Sequence, residues 1–330
     1  MLATGAYERQ LPFPGWTVPG VVAAGGAQAM LKSGLVLPGQ RVVVAGSGPL
    51  LLAVASSLAA AGARVPAVVE ASGYLGYARH RVPLHSRSAV TEVHGTDRVQ
   101  AVTVSRVGRD WRPVPGTGRR IVCDALAVGH GLVPQIELAT SLGCATRRTP
   151  DATHALVLDS LQETSVPGVW AAGETGGVGG AQLTQAEGEL AAIAVASRLR
   201  RKLVDGARVQ RLRRRRDRMR AFADAMANAH APRPGWTDWL GDDTDVCRCE
   251  EVTARRIREA VADLGAEDVR TVKLLTRAGM GWCQGRMCGT AVACLAASGS
   301  DGNVPPSPER RPLAVPVPLA VLGSLAEADD

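Results

Sequence analysis

Cys247 and Cys249 stand in "DVCRCEEVT", and after thirty-three intervening residues Cys283 and Cys288 stand in "AGMGWCQGRMCG". A C-x-C pair followed by a C-x4-C pair could form disulfides, act as nucleophiles or ligate metal. Glycine separates these options. Four of the twelve residues from Ala278 to Gly289 are glycine, and glycine costs backbone entropy wherever it sits, so backbone here must approach something closely. A disulfide does not require that. A metal cluster does, because its sulfurs need amide N–H groups directed at them. Zinc and a 2Fe-2S cluster both accept four thiolates, although structural zinc more often takes C-x2-C knuckles. The tighter C-x-C suits a larger cluster that presents a separate iron to each pair. Nearby Arg248, Lys273, Arg277 and Arg286 would raise the potential of a centre whose oxidised form carries a formal charge of about −2. Cys123, Cys144 and Cys294 have no partner at useful spacing and read as buried free thiols.

These cysteines must be positioned by the elements around them. Thr253 is placed to N-cap the helix "ARRIREAVADL", which Gly265 ends, so a helix spaces the two pairs. Upstream, "HAPRPGWTDWLGDDTD" is a Pro-, Gly- and Asp-rich linker, and from Ser298 the Pro-rich, aromatic-free tail reads as extended unless a partner holds it. From Arg198 to Arg220 there are twelve Lys or Arg against two Asp, so the net charge of +7 is concentrated in one basic linker helix. The remainder is about −3 and "RLRRRRDRMR" has no interleaved aromatics, which points to an acidic partner and away from nucleic acid. Seven cysteines, an odd number, with no signal-peptide pattern fit a reducing cytoplasm.

"QRVVVAGSGPLLLAVASSLAAAGARVPAVVE" reads as strand (Val42 to Ala45), turn (Gly46 to Pro49), helix (Leu50 to Ala61) and second strand. The turn interrupts the uncharged run from Val42 to Ala63, so no membrane span is expected. Gly46 and Gly48 match the first two glycines of a dinucleotide fingerprint, Leu51 occupies the third, and Glu70 ends the second strand, where a carboxylate would accept from a ribose hydroxyl of NAD or another adenine nucleotide. About a dozen residues follow Glu70 before the next strand-like run at Val82, the minimum for a crossover helix. "AVTEVHG", "VQAVTVSRVG" and "RRIVCDALAVG" then alternate like an antiparallel meander, and "TSVPGVWAAGETGGVGGAQLTQAEGELAAIAVASRL" runs a strand (Val169 to Ala172) through a glycine turn into an Ala-rich helix.

"CRCEEVT" and "TRAGMGWCQGRMC" resemble the bacterioferritin-associated-ferredoxin-like 2Fe-2S domain fused to flavoprotein subunits of heteromeric dehydrogenases for opines, D-amino acids, proline or glycine, and of hydrogen cyanide synthase. "LATGAYER", "PFPGWTVPGV", "VVVAGSGPLLLAVA", "DWRPVPGT", "TSVPGVWAAGE" and "GVGGA" are similar to further landmarks of that family. The resemblance implies that Cys247, Cys249, Cys283 and Cys288 ligate the cluster. It implies two interleaved Rossmann-like nucleotide-binding domains in an α/β fold, the first truncated, plus a small helical 2Fe-2S domain. Ala3, Thr4, Gly5, Gly173 and Glu174 fall to the FAD domain, with Glu174 similar to the acidic residue that holds flavin hydroxyls, while Gly46, Gly48 and Glu70 fall to the inserted domain.

The expected domains are a FAD-domain remnant at 1–20, the inserted domain at 21–147, the second FAD part at 148–200, the basic linker at 201–243, the cluster domain at 244–297 and the tail at 298–330. The family opens with a GxGxxG turn that grips the FAD pyrophosphate, and this chain begins about a hundred residues past it. Three expectations follow: a shortened gene product, a second polypeptide that supplies the missing half, or a scaffold without FAD. Without a C-x-x-C, dithiol chemistry is disfavoured. The implied activity is an oxidoreductase subunit that passes electrons from amine or amino-acid oxidation, on a partner flavoprotein subunit, to an acceptor. The alternative is a non-catalytic 2Fe-2S electron-transfer module; a zinc-bearing interaction protein would need iron to be absent.

Overall fold

The computed structural model describes residues 1–74, 82–200, 206–297 and 319. The crossover expected after Glu70 and nearly all of the Pro-rich tail lie outside those residues. β1 (Ala6–Glu8) pairs with β10 (Leu132–Pro134), and between them sits a five-stranded parallel sheet. Its strands are β2 (Val21–Ala23), β3 (Val42–Gly46), β4 (Val68–Glu70), β5 (Leu84–Ser86) and β9 (Ala125–Gly129), in the order β2-β9-β3-β4-β5. Every residue of β3, β4 and β9 is buried, as strands covered on both faces must be. Val42 and Val44 face α1 (Ala24–Gly34) and α2 (Leu50–Ala60), while Val43 and Ala45 face the opposite core.

That opposite core is closed by β6 (Ser88–His94), β7 (Ala101–Arg106) and β8 (Arg119–Val122), the expected antiparallel meander. Its third run divides, and this corrects the sequence reading. β8 stays in the meander, but β9 crosses into the parallel sheet, because the Asp124 carboxylate accepts from the backbone N–H groups of Gln40 (3.1 Å) and Arg41 (2.8 Å). Gly46 has φ +138°, and a Cβ there would overlap the carbonyl of Gly129. Contact between neighbouring strands therefore requires this glycine whether or not a ligand is bound.

Beyond the sheet lie α3 (Glu137–Ser141), the hairpin β11 (Thr146–Arg148) with β12 (His154–Leu156), α4 (Ala181–Arg200) and α5 (Gly206–His230). The strand expected at Val169 to Ala172 is reduced to single bridges, Glu163 with Trp170 and Leu2 with Ala171. Gly168 (φ +85°) and Gly173 (φ +82°) turn the chain on either side, so the extended run is too short for a ladder. α5 is the basic linker helix, and it packs on α4 through Val209 and Leu212. Some of its charge is consumed internally: Arg220 pairs with buried Glu187 and Arg208 with Glu189.

The cluster domain comprises the hairpin β13 (Asp245–Cys247) with β14 (Val252–Thr253), then α6 (Ala254–Ala262), α7 (Val269–Thr276) and α8 (Gly289–Ala296). Thr253 caps α6 as expected, accepting from the Arg256 amide at 3.5 Å, but the helix ends at Asp263 before Gly265. A second helix, α7, capped by Asp268 through the Thr271 amide at 2.9 Å, completes the spacer. A tryptophan seam fixes this domain to the scaffold. Trp239 stacks on Trp111 at 6.0 Å and donates to its carbonyl at 2.9 Å, while Trp16 donates to the Asp245 carbonyl at 2.6 Å.

His130 lies against both stacked rings, 6.1 Å from Trp111 and 5.8 Å from Trp239. Burial, reinforced by the charge of Arg9, pulls its pKa down to about 3. The folded state thus keeps His130 neutral, whereas the unfolded imidazole takes a proton below its ordinary value of about 6.5. The resulting stability is complete above that value and is lost progressively as pH falls toward the folded pKa. His130→Gln should shrink the drop in urea-unfolding free energy between about pH 7.5 and about pH 5 by about 2 kcal/mol. An unchanged drop would mean that the folded imidazole is not shielded from protons.

Candidate iron-sulfur centre and nucleotide seats

β13 delivers Cys247 into the interior and the chain then turns, so Cys249 emerges at the rim; the loop after α7 brings Cys283, and the start of α8 brings Cys288. Cys247 and Cys288 are buried, whereas Cys249 and Cys283 are half-buried. The two motifs meet at the glycine loop. The Gly279 N–H faces Cys247 Sγ, and a Cβ on Gly279 would lie 3.9 Å from Cys288 Sγ, so this one glycine adjoins a sulfur from each motif. Among the described residues no group of three His, Cys, Asp or Glu could hold a single metal ion.

The hydrogen bond with Cys288 lowers the Cys247 pKa to about 6 against the opposing effect of burial, and amides of Gly279, Glu250 and Cys249 add to the lowering. The same contact pushes the Cys288 thiol strongly up, with burial adding to it. The Gly279 N–H donates to Cys247 Sγ at 3.4 Å. A Cβ on Gly281 would overlap that of Cys249 and stand 3.3 Å from its sulfur, so only glycine lets the loop close over the rim pair. Four thiols, three of them served by backbone N–H groups, and a glycine-rich loop that comes close to the sulfurs fit a cluster of two irons. Arg277 is held by Glu250 at 2.8 Å, and Arg286 lies 3.3 Å from Glu137 and donates to the Cys283 carbonyl at 3.3 Å.

The inserted-domain seat has a different fate. Glu70 is fully buried, and its carboxylate accepts from the Ser72 and Gly73 amides at 3.0 and 2.6 Å, from the Ser72 hydroxyl, and lies 3.4 Å from His230 Nδ1. Burial pushes this carboxyl up, but the contacts with His230, Ser72 and the Gly73 amide outweigh it, so it titrates below the usual carboxylate range. His230 ends α5; its carbonyl accepts from Ser47 Oγ at 2.9 Å, and a Cβ on Gly48 would come within 3.9 Å of its side chain. The space over the glycine turn, where a pyrophosphate would lie, is filled by the end of the linker helix. The residues here do not fit a dinucleotide as folded, and Glu70 is not left available for a ribose.

The parallel Leu2–Ala171 bridge, with the Ala172 N–H donating to the Leu2 carbonyl at 3.1 Å, sets the segment entering Ala3, Thr4 and Gly5 beside the segment entering Gly173 and Glu174. Nothing lies within 4 Å of where a Cβ of Gly5 would be, so this edge is open. Glu174 accepts from Gly179 and Gly180 amides at 2.9 and 3.0 Å, which shapes the glycine turn and leaves lone pairs for a further hydroxyl. Gly173 donates to Glu187 at 3.0 Å, the carboxylate that Arg220 of α5 holds. These residues fit one edge of a flavin seat.

Residues 1–197 match the pyridine nucleotide-disulphide oxidoreductase family, and residues 246–297 match the BFD-like [2Fe-2S] binding domain. The chain belongs to that oxidoreductase family. It is an FAD-dependent oxidoreductase fold carrying a 2Fe-2S domain. It is 35% identical over 315 residues to the HcnB subunit of hydrogen cyanide synthase from Pseudomonas protegens, covering 87% of this chain and 67% of the relative. It is 35% identical over 319 residues to a subunit of opine oxidase from Agrobacterium tumefaciens, covering 88% and 62%. The chain thus spans about two thirds of the length of these relatives, both named as subunits. Its fold matches L-proline dehydrogenase from P. horikoshii with a TM-score of 0.70 at 21% identity, over 97% of this chain and 57% of that one.

Sequence reasoning missed His230, although a histidine closing a long helix was visible, because nothing local connects it to Glu70. Gly281→Ala should bleach the visible absorption of this family member and lower iron per chain while far-ultraviolet circular dichroism is kept; full iron content would show that the loop can move away. Calorimetric titration with NADH should give no binding up to about 1 mM, and His230→Ala should tighten it about tenfold or more. Tight binding to the unaltered chain would show that the seat is open.

Proposed function

We propose that this chain is the electron-transferring subunit of a heteromeric amine or amino-acid dehydrogenase, with the cluster on Cys247, Cys249, Cys283 and Cys288 and FAD along Ala3 to Gly5, Gly173 and Glu174. The observation that carries the reading is the meeting of both cysteine motifs at one glycine loop, with the Gly279 N–H on Cys247 Sγ and Gly281 against Cys249. When bound, the flavin accepts two electrons and the cluster relays them singly. This chain's residues set the direction. Cys247 and Cys288 face the dry interior shared with the scaffold, which makes that side the entry. Cys249 and Cys283 face the rim, beside Trp282, which precedes Cys283 and is 70% exposed. An exposed aromatic next to a half-buried ligand is a contact point for an electron acceptor.

Substrate oxidation belongs to a second flavoprotein subunit on this reading, and no side chain here is assigned as its base. The two relatives named as subunits support that division. The filled seat at Glu70 favours electrons arriving from that subunit over a nicotinamide donor. A second reading, a non-catalytic 2Fe-2S carrier on a flavoprotein scaffold, is favoured by the same filled seat and requires purified protein without flavin. We place the working compartment in the cytoplasm on the odd number of cysteines, seven; no helix among the described residues is long and apolar enough to cross a membrane.

Anaerobic absorption spectra with iron, zinc and released flavin quantified on one sample test the assignment. Cys283→Ser and Cys249→Ser should each lose most of the iron, and full retention would refute the ligand set. Trp282→Ala should leave iron and flavin unchanged but slow transfer to the acceptor about tenfold or more, the loss typical of an aromatic contact at an interface centre. An unchanged rate would place the exit elsewhere.

A further inference from the structure

Arg286 is the one charged residue in the stretch from Ala278 to Gly289, the loop that carries Cys283 and Cys288. Its Nη1 donates to the Cys283 carbonyl at 3.3 Å, and its Nε lies 3.3 Å from Glu137 Oε1. Glu137 stands outside the cluster domain. It opens α3 in the flavoprotein scaffold and is buried. Taking a carboxylate and a guanidinium out of water together costs about as much as their attraction returns, so packing alone would be served as well by apolar side chains.

The position of Glu137 in the chain gives the charge a use. Two residues before it, Gln135 donates its N–H to the Gly5 carbonyl at 2.9 Å, and its own carbonyl accepts from the Thr4 hydroxyl. Just upstream, β10 pairs with β1 through Pro134 and Ala6. The segment that leads into Glu137 is thus clamped to Thr4 and Gly5, the edge assigned above to the flavin. One ion pair therefore joins that edge to the loop between two of the cluster ligands. Arg277, at the other end of the loop, differs in both respects. Its partner Glu250 belongs to the cluster domain, and its side chain is 69% exposed, so water and salt screen its charge. The Arg286 side chain is 15% exposed, and its charge is screened far less.

We infer that Glu137 is a positioning residue that also sets the potential of the cluster. Through Arg286 it seats the cluster loop on the flavin-edge segment, and its negative charge keeps the cluster potential below the value that Arg286 alone would give. The inference rests on the cluster reading proposed above and deepens it, because it makes the potential a joint property of the scaffold and the cluster domain.

Redox titration of the iron-loaded full chain, followed by visible absorption, tests it. Glu137→Gln keeps the shape of the side chain and removes its charge, so the one-electron reduction constant should rise about tenfold, a shift of about 59 mV. Arg286→Gln removes the cation and should shift the potential downward. Both shifts should persist in about 1 M KCl, because the pair is shielded from solvent. A pair that served only as a brace would give lower urea midpoints in both variants and leave the potentials where they were. The inference is overturned if neither potential moves, or if both move in the same direction. Should one variant fail to take up iron, the sign of the shift in the other decides. Iron per chain is quantified on every sample: an unaltered chain without iron would sink the cluster reading and this inference together, whereas full iron with unmoved potentials would sink the inference alone.

Discussion

Cysteine sulfur held under glycine backbone is the constraint on which the rest of this structure depends. Cys247 and Cys288 are buried beside Gly279, and thiolates brought into an interior need compensating positive charge. Backbone N–H groups from Gly279, Glu250 and Cys249 supply part of that compensation, and a bound cluster would supply the remainder. The glycine-rich loop follows from the same demand. A side chain at Gly281 would overlap Cys249 and one at Gly279 would be strained at its φ of +84°, so the chain accepts the entropic cost of glycine to bring backbone to the sulfurs.

A site that transfers electrons must also be held still relative to its source, and small domains joined by linkers are free to move unless an interface prevents it. The seam formed by Trp16, Trp111 and Trp239 prevents it here. Each indole on the cluster side buries a large apolar area, and the N–H groups of Trp16 and Trp239 find carbonyl partners across the seam, which fixes orientation as well as attachment. The core of the inserted domain and the core of the cluster domain are therefore one continuous body of packed side chains.

α5 shows how one element can serve several ends. Its composition suggests a solvated basic rod, yet Arg220 reaches the buried Glu187 that positions Gly173, while its last residue fills the seat over Gly46 to Gly48. A fingerprint that elsewhere cradles a pyrophosphate is used here as an anchor for the linker. The outward arginines, among them Arg211, Arg215 and Arg218, keep the exposed basic face that composition indicated.

Local features were the ones legible in the amino-acid order. The spacing of Cys247, Cys249, Cys283 and Cys288 marked a metal centre, the apolar run at Val42 with its glycine turn marked strand, turn and helix, and Thr253 marked the start of α6. Each of these depends on contacts between residues close in the chain, where propensity and capping act directly. That the two motifs meet was settled by tertiary packing, because it depends on how the loop after α7 and the start of α8 dock against β13. Packing also settled that Glu70 would be met by His230 rather than left for a ribose, through a contact network whose Ser72–His230 bond spans 158 residues. Local signals fix which elements form; only packing brings their ends together, and chemistry happens where the ends meet.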